Sequence, residues 1–388
     1  MKAAVFHKPG TITCDNVDDP RLQNDDDVIL KVTATAICGS DLHMYSGGIP
    51  QPRPMVMGHE FMGIVEEVGK GVTRLQKGDR VVVPFPVACG SCFFCRNELP
   101  TACEHSNPEN YGPEGGLLTE KGGALFGYTD LYGGYDGGQA QYVRVPYANN
   151  GPRIVPENLS DEQVLFLTDI FPTGYTGIMW GEVKPGQSVA IFGAGPVGIM
   201  TAKSAILENA GQVIVIDTLQ YRLDKVQQLT GCEIVKWENA RQAVAEIREK
   251  TFGRGADVCI DAVGFEPERN IIDRAKSVIN FEKGSSKVLE ACLSAVRRGG
   301  IVPVLGVYPM HYDNFPVGQI FDKGIILKAG QAPVHKIIDK LFDFVKDGKV
   351  KLDDVITHRL SLQDVAKGYE IFDKKEDGCV KVVLDPWM

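Results

Sequence analysis

The chain has 388 residues, more than one ordinary domain holds and enough for two. Apolar residues make up 44% and charged residues 23%, the balance of a globular protein able to bury a large core. The net charge of −9, without any block of Lys or Arg, argues against nucleic acid as a partner; no apolar run approaches the roughly 20 residues of a bilayer span, and MKAAVFHKPG lacks the apolar stretch of a secretory leader. The expectation is a cytoplasmic protein, with no nucleic acid and no membrane among its partners.

MKAAVFHKPG reads as an opening strand. VILKVTATAI and GIVEEVG follow as further strands between Gly and charged breaks, and GDRVVVPFPVAC leads a strand into a cysteine cluster. Glycine-rich loops occupy about Tyr111 to Gly138, and GGQAQYVRVP resumes strand character. From Asp161 the apolar spacing lengthens, and DEQVLFLTDIFPTGYTGIMW predicts one or two helices. Strands and helices then alternate. QSVAIFGA is a strand and GPVGIMTAKSAILENAG a helix stopped by Gly211; QVIVID is a strand and LDKVQQLTG a helix; ADVCIDAVG is again a strand. KVLEACLSAVRRGG predicts a helix with basic residues in its last turn and a glycine stop, followed by IVPVLGV as a strand. Such alternation implies a doubly wound parallel sheet with helices on both faces. The tail leaves this pattern near Phe315 and ends in a strand, CVKVVLDP. The expected organisation is therefore a mostly β domain made of 1–170 and 316–388, with an α/β domain, 171–315, inserted.

Gly193-Ala194-Gly195-Pro196-Val197-Gly198 fits G-x-G-x-x-G, directly after a strand and at the start of a helix, with Asp217 about 20 residues on. In this fingerprint Gly193 makes the tight turn, Gly195 lets a pyrophosphate approach the backbone, and Gly198 lets helix and strand pack closely. The helix N-terminus supplies free N–H groups and positive potential. Asp217 can accept from ribose hydroxyls and would repel the extra phosphate of NADP, which favours NAD. Arg222 is close enough in sequence to reach the ribose or a phosphate, or to be a solvated helix residue. A structural strand–turn–helix without ligand is the competing reading.

Of ten cysteines, four crowd into Cys89-x2-Cys92-x2-Cys95-x7-Cys103. Four thiolates complete the shell of a tetrahedral zinc, which makes this site structural rather than catalytic; an iron–sulfur cluster, disulfides or free thiols are the alternatives. A second set, Cys38-Gly39-Ser40-Asp41-Leu42-His43 followed by Gly58-His59-Glu60, offers a thiolate, two imidazoles and a hydroxyl. Each residue alone is more simply read as packed or exposed.

In order, CGSDLH, GHE, the four-cysteine lobe, TDIFPTGYTG, GAGPVG and VIVID resemble the zinc-dependent medium-chain alcohol dehydrogenases, over nearly the whole chain. PFPVACGSC, GGQAQYV, TDIFPTGY, DAVGFE and GQAPV resemble the glutathione-independent formaldehyde dehydrogenase branch in particular. The resemblance implies a GroES-like catalytic domain, carrying the structural zinc lobe at 89–103, and a Rossmann NAD-binding domain. It implies two Zn2+ per chain. Cys38, His59 and Asp169 match the ligands of the catalytic zinc; Asp169 stands where many relatives have Cys, and spacing alone would not single it out. Glu60 matches the acid beside the metal, Ser40 the hydroxyl that bonds the substrate oxygen, and His43 the far end of the proton relay. Thr173 and Val197 match residues near the nicotinamide, and Val263, in DAVGFE, joins Pro196 among the cofactor-binding candidates. The implied reaction is hydride transfer to NAD from an alcohol or aldehyde hydrate. A polyol (sorbitol-type) or threonine dehydrogenase is the runner-up, and a non-catalytic nucleotide- or zinc-binding relative a third reading. Family members of this kind are homotetramers or dimers. The loop from Asn107 to Gly138 is long, and in the formaldehyde branch a segment like that from Phe265 to Lys287 covers the adenine and holds NAD tightly. Cys14, Cys232, Cys259, Cys292 and Cys379 are assigned to packing, and His7, His105, His311, His335 and His358 are given no partner.

Overall fold

The computed structural model of the chain describes residues 1–108, 122–263, 286–308 and 315–388. The chain divides into two compact units, Met1–Pro172 with Pro333–Met388, and Thr173–Ala332.

The first unit is mostly β. Its largest sheet runs Arg153–Ile154, Arg80–Val83, Glu60–Val68, Val28–Ile37, Val382–Asp385 and His358–Ser361, with Tyr142–Val145 also paired to Val28–Ile37. Alternating β-branched and small residues in VILKVTATAI suit a pleated surface. Its inward Val28, Leu30 and Val32 pack with Phe61, Val65, Val81, Val83 and Val143. The tail closes this sheet: Val382–Asp385 lies antiparallel to Val28–Ile37, with Val382 opposite Ile37. A three-stranded sheet of Thr11–Asn16, Lys2–Lys8 and Met55–Val56 stands beside it in the chain's pairing pattern.

The second unit is a parallel sheet in the order Glu233–Lys236, Gln212–Asp217, Ser188–Phe192, Ala256–Asp261, Val296–Val304, Ile326–Ala329. Numbered along the chain, this is 3-2-1-4-5-6, the doubly wound order that binds dinucleotides where the direction of winding reverses. The reversal falls between Ser188–Phe192 and Ala256–Asp261, each followed by the turn residues Gly193 and Val263.

Two expectations need correction. Residues 316–332, expected in the first domain, extend the second. Strand Ile326–Ala329 pairs parallel with Ile301 to Val304, and Lys323 Nζ from the preceding helix, Val317–Lys323, donates to Leu293 O at 2.6 Å. A seven-residue helix and a four-residue strand are too short for periodicity to reveal one more unit of the same sheet. The helix Lys287–Ala295 also stops before Arg297 and Arg298, which lie in strand Val296–Val304; Val296 is already extended at φ −67°, ψ 143°. Arg297 there ion-pairs with Asp257 at 2.6 Å, so its charge serves the sheet rather than a helix end.

His311, nearly all of Phe265 to Lys287 and residues 109–121 of the glycine-rich loop lie outside the described residues. No described helix is long and apolar enough to cross a membrane.

Candidate functional site

Strand pairing brings Cys38 and His59 together. Val28–Ile37 and Glu60–Val68 are antiparallel with Ala36 opposite Glu60, so the residues just past one strand and just before the other emerge at one edge. Asp169 arrives from a broken helix. Ser160 and Gln163 cap the first piece, Asp161–Leu165, reciprocally; a 3-10 turn follows, and at Asp169 the backbone leaves helical geometry (φ −151°, ψ −77°) before Ile170–Trp180 resumes it. That break turns a carboxylate inward that a continuous helix would have placed elsewhere.

The ligand atoms of Cys38, His59 and Asp169 lie within 4.8 Å of one another, and all three residues are buried. Cys38 Sγ donates to Asp169 Oδ2 at 3.2 Å, and His59 Nε2 stands 3.3 Å from the same oxygen. Ser40 Oγ is 3.1 Å from His59 Nε2, which places the hydroxyl at the triad. His43 follows on the short helix Asp41–Tyr45 that Ser40 begins. Glu60 is fully buried next door, with the Lys381 ammonium 2.5 Å from its Oε2.

Burial pushes the Cys38 thiol up to about 11, and the charges of Asp169 and Glu60 push the same way. Burial raises Glu60 to about 7 even with Lys381 pulling it down. Burial disfavours the His59 cation, but Asp41 and Cys38 outweigh it and hold the imidazole well above its usual range. Anionic and neutral donors packed this closely away from water call for a cation. A divalent ion reverses the penalty on the thiolate, and a sulfur, an imidazole and a carboxylate are a donor set that suits zinc with one position left over.

Four residues that support this triad escaped the sequence reading. Asp41 Oδ2 accepts from Cys38 N at 2.9 Å and from Gln139 Nε2 at 3.2 Å, while its Oδ1 faces His59 Nδ1 at 3.3 Å. A carboxylate behind a metal-binding His fixes the ring and leaves the other nitrogen for the ion. The Tyr369 hydroxyl donates to Gln139 Oε1 at 2.9 Å, and Lys381 Nζ donates to Ile37 O at 3.0 Å. Asp41 carried a signal, an acid inside CGSDLH; so did Lys381, a lone cation ahead of an apolar strand. Gln139 and Tyr369 carried none.

The four sulfurs of Cys89, Cys92, Cys95 and Cys103 also lie within 4.8 Å of one another. Cys89 to Cys95 is 3.9 Å and Cys92 to Cys103 is 4.0 Å. Tetrahedral zinc with bonds of about 2.3 Å puts its sulfurs about 3.8 Å apart, so the spacing fits. Backbone N–H groups of Ser91 and Cys92 point at Cys89 Sγ at 3.4 and 3.3 Å. Burial raises that thiol, but these donors and the Ser91 hydroxyl outweigh it and bring it down to about 6. All ten cysteines are free of disulfides.

In the second unit the glycine turn behaves as its spacing implies. Gly193 has φ +104°, closed to most side chains, and a Cβ on Gly198 would sit 1.8 Å from Gly193 O. A Cβ on Gly195 would meet nothing nearer than Arg222 Nη1 at 3.7 Å, so the space over the turn is open and bordered by a guanidinium. Gly195 N-caps the helix Pro196–Leu207 without any side-chain hydrogen bond, leaving its first N–H groups for an anion. Val197 and Thr201 form one turn of that helix through a 2.8 Å bond, Thr201 N backs Gly174 beside Thr173, and Val263 Cγ2 closes on Gly193. Asp217 does more than the motif asks. Its Oδ2 accepts from Ala194 N at 2.7 Å and its Oδ1 from Leu219 N at 2.8 Å, so it braces the glycine turn itself.

Residues 24–154 match the alcohol dehydrogenase GroES-like domain, and residues 196–273 the zinc-binding dehydrogenase family. The chain belongs to the zinc-dependent medium-chain alcohol dehydrogenases, which makes it an oxidoreductase of the zinc-type alcohol dehydrogenase class. It is 42% identical over the full length of both chains to AdhB of Bacillus subtilis, an uncharacterised zinc-type alcohol dehydrogenase-like protein. It is 33% identical to the glutathione-independent formaldehyde dehydrogenase of Pseudomonas aeruginosa, covering 99% of this chain and 97% of the other. Among solved structures, the alcohol dehydrogenase TADH from Thermus sp. ATN1 matches with a TM-score of 0.83 and 34% identity, over 99% of both chains. AdhB exceeds the formaldehyde dehydrogenase in identity, so likeness alone does not fix the substrate.

Proposed function

We propose that the protein is an NAD-linked dehydrogenase that moves hydride from an alcohol or an aldehyde hydrate to the nicotinamide. The observation that carries this reading is the buried convergence of Cys38, His59 and Asp169, three donors rather than four, with the Ser40 hydroxyl at the same imidazole. Zinc bound there would supply a Lewis acid that brings the pKa of a bound hydroxyl towards neutrality.

The chain's own residues do the rest. Cys38, His59 and Asp169 hold the catalytic zinc, and Asp41 fixes the ring of His59. Ser40 Oγ takes the substrate's proton, and His43 is the group that passes it onward. Glu60, held beside the triad by Lys381, keeps negative charge close to the metal. Cys89, Cys92, Cys95 and Cys103 hold a second, structural zinc, giving two per chain. Gly193, Gly195, Pro196 and Gly198 cradle the pyrophosphate, with Arg222 at its edge. Asp217 favours NAD over NADP by repelling a 2′-phosphate, Thr173 and Val197 border the nicotinamide, and Val263 belongs to the same cofactor site. Assembly as a homotetramer or dimer in the cytoplasm belongs to the same proposal.

The test is a substrate panel of formaldehyde, short alcohols, sorbitol and threonine, run with and without added NAD, together with a zinc count. NADH formation with two zinc ions per chain supports the reading. No turnover of any of them by the fully zinc-loaded protein overturns it.

A further inference from the structure

Two glycines place a tyrosine beside the triad. Gly58 N donates to Gly127 O at 3.4 Å, and a Cβ on Gly127 would sit 2.4 Å from Gly58 N, so the two backbones touch. The residues that follow are His59 and Tyr128, which are therefore neighbours by construction. The Tyr128 ring stands edge-on to His59, centroids 6.2 Å apart at 85°, and Phe85 flanks the same imidazole at 6.1 Å.

Everything around Tyr128 is tied down except its hydroxyl. Thr129 Oγ1 donates to Pro50 O at 2.7 Å, Asp130 N donates to Gln51 Oε1 at 2.8 Å, and Arg53 pairs with Asp130 at 2.8 Å. Tyr132 packs against the Tyr128 ring at 5.9 Å. The residue is only 5% exposed, and its Oη has no hydrogen-bond partner among the described residues. A buried hydroxyl left unpaired is destabilising, a cost that Phe at this position would not carry. Buried polar groups without partners call for an explanation, and beside a substrate-activating centre the explanation is a ligand atom. A phenol keeps its proton at neutral pH and can both donate and accept.

We propose that Tyr128 Oη is a substrate-recognition group that hydrogen-bonds a second oxygen of the substrate. The preferred substrates then carry two oxygens on the same or adjacent carbons, as aldehyde hydrates and 1,2-diols do, rather than one. Simple monoalcohols leave the hydroxyl unpaired and are discriminated against, because a site built to bond a substrate oxygen rejects the analogue without it. This rests on the dehydrogenase reading above.

Tyr128→Phe in the zinc-loaded enzyme tests it. The ratio of kcat/KM for 1,2-propanediol or hydrated acetaldehyde to that for 1-propanol is expected to fall about tenfold, the worth of one hydrogen bond. A fall for the diol alone assigns an adjacent-carbon oxygen, a fall for the aldehyde alone a same-carbon oxygen, and either supports the proposal. Both ratios unchanged overturn it. Tm without ligand gives a second readout: Tyr128→Phe should match or exceed wild type, and a drop of several degrees means the hydroxyl was already bonded within the protein, which also overturns it. If wild type oxidises none of the three compounds, the dehydrogenase reading is decided separately, by the full substrate panel above. The subsite is then judged by thermal protection: 1,2-propanediol raising Tm more in wild type than in Tyr128→Phe supports it, and equal shifts overturn it.

Discussion

The two cysteine sites of this chain are built by opposite strategies. The four-cysteine lobe draws every donor from fifteen consecutive residues, 89–103, and its sulfurs converge through local turns and N–H···S bonds. The Cys38 triad draws on three distant stretches, joined by the pairing of Val28–Ile37 with Glu60–Val68 and by the helix break at Asp169. A local site can fold around its ion and stabilise what lies nearby. A site assembled from distant elements depends on the fold first and takes the ion afterwards. The lobe should therefore answer to stability measurements, and the triad to turnover.

Separating those two readouts is the sharpest test. Cys38→Ala should lower kcat on the order of 10³-fold or more, the loss of a Lewis acid worth several kcal/mol, and leave one zinc per chain with Tm little changed. Cys92→Ser should also leave one zinc per chain but lower Tm by several degrees, because ion binding there is folding free energy. Equal effects of the two variants on both readouts would erase the distinction. Ser40→Ala should cost about 10²-fold in turnover with zinc content unchanged; turnover close to wild type would remove Ser40 from proton transfer. Asp41→Asn should cost about 10- to 100-fold in zinc affinity or activity, read by competition with a chelator, since its carboxylate faces His59 Nδ1.

The smallest expected effect lies on the lobe's flank. Helix Val334–Lys346 is tied to the lobe by the Lys336–Glu98 ion pair at 2.6 Å and carries His335, whose two ring nitrogens are buried without hydrogen-bond partners among the described residues. Burial, with Arg153 nearby, pulls His335 from 6.5 down to about 3. The unfolded chain therefore binds a proton between those values and the folded chain does not. Stability from this group is complete above pH 6.5 and is lost as pH falls towards 3, at up to about 1.4 kcal/mol per pH unit. His335→Leu should flatten the fall of Tm between pH 6.5 and 4.5, and an unaltered profile would refute the assignment.

The same contrast explains what could be read from the sequence. The lobe was legible because its ligands are close in the chain, and the glycine turn because Gly193, Gly195, Gly198 and Asp217 keep fixed spacings imposed by backbone geometry. Cys38 and His59 were visible only as fragments until a family resemblance joined them. Asp169 could not be found by periodicity, since what turns it inward is a backbone break that composition does not announce. Asp217 was legible as an acid but not as a brace for Ala194. Short elements hid as well: Ile326–Ala329 is too brief to declare its sheet, and Arg297 looked like a helix end because an amphipathic run passes directly into a strand.

The pairing of Val382–Asp385 with Val28–Ile37 has a consequence for biosynthesis. Residues 173–332 can fold as soon as they leave the ribosome, since every strand of their sheet is contiguous in the chain. The catalytic half, whose central strand is paired by Tyr142–Val145 only over Val28–Lys31, keeps Thr35–Ile37 without a partner on that side until Val382–Leu384 has been made, after residues 173–332, and Lys381, the counter-ion of Glu60, arrives in the same stretch. During that interval the exposed edge invites association with other nascent chains. This half, rather than the nucleotide-binding one, is where the chain would need a chaperone.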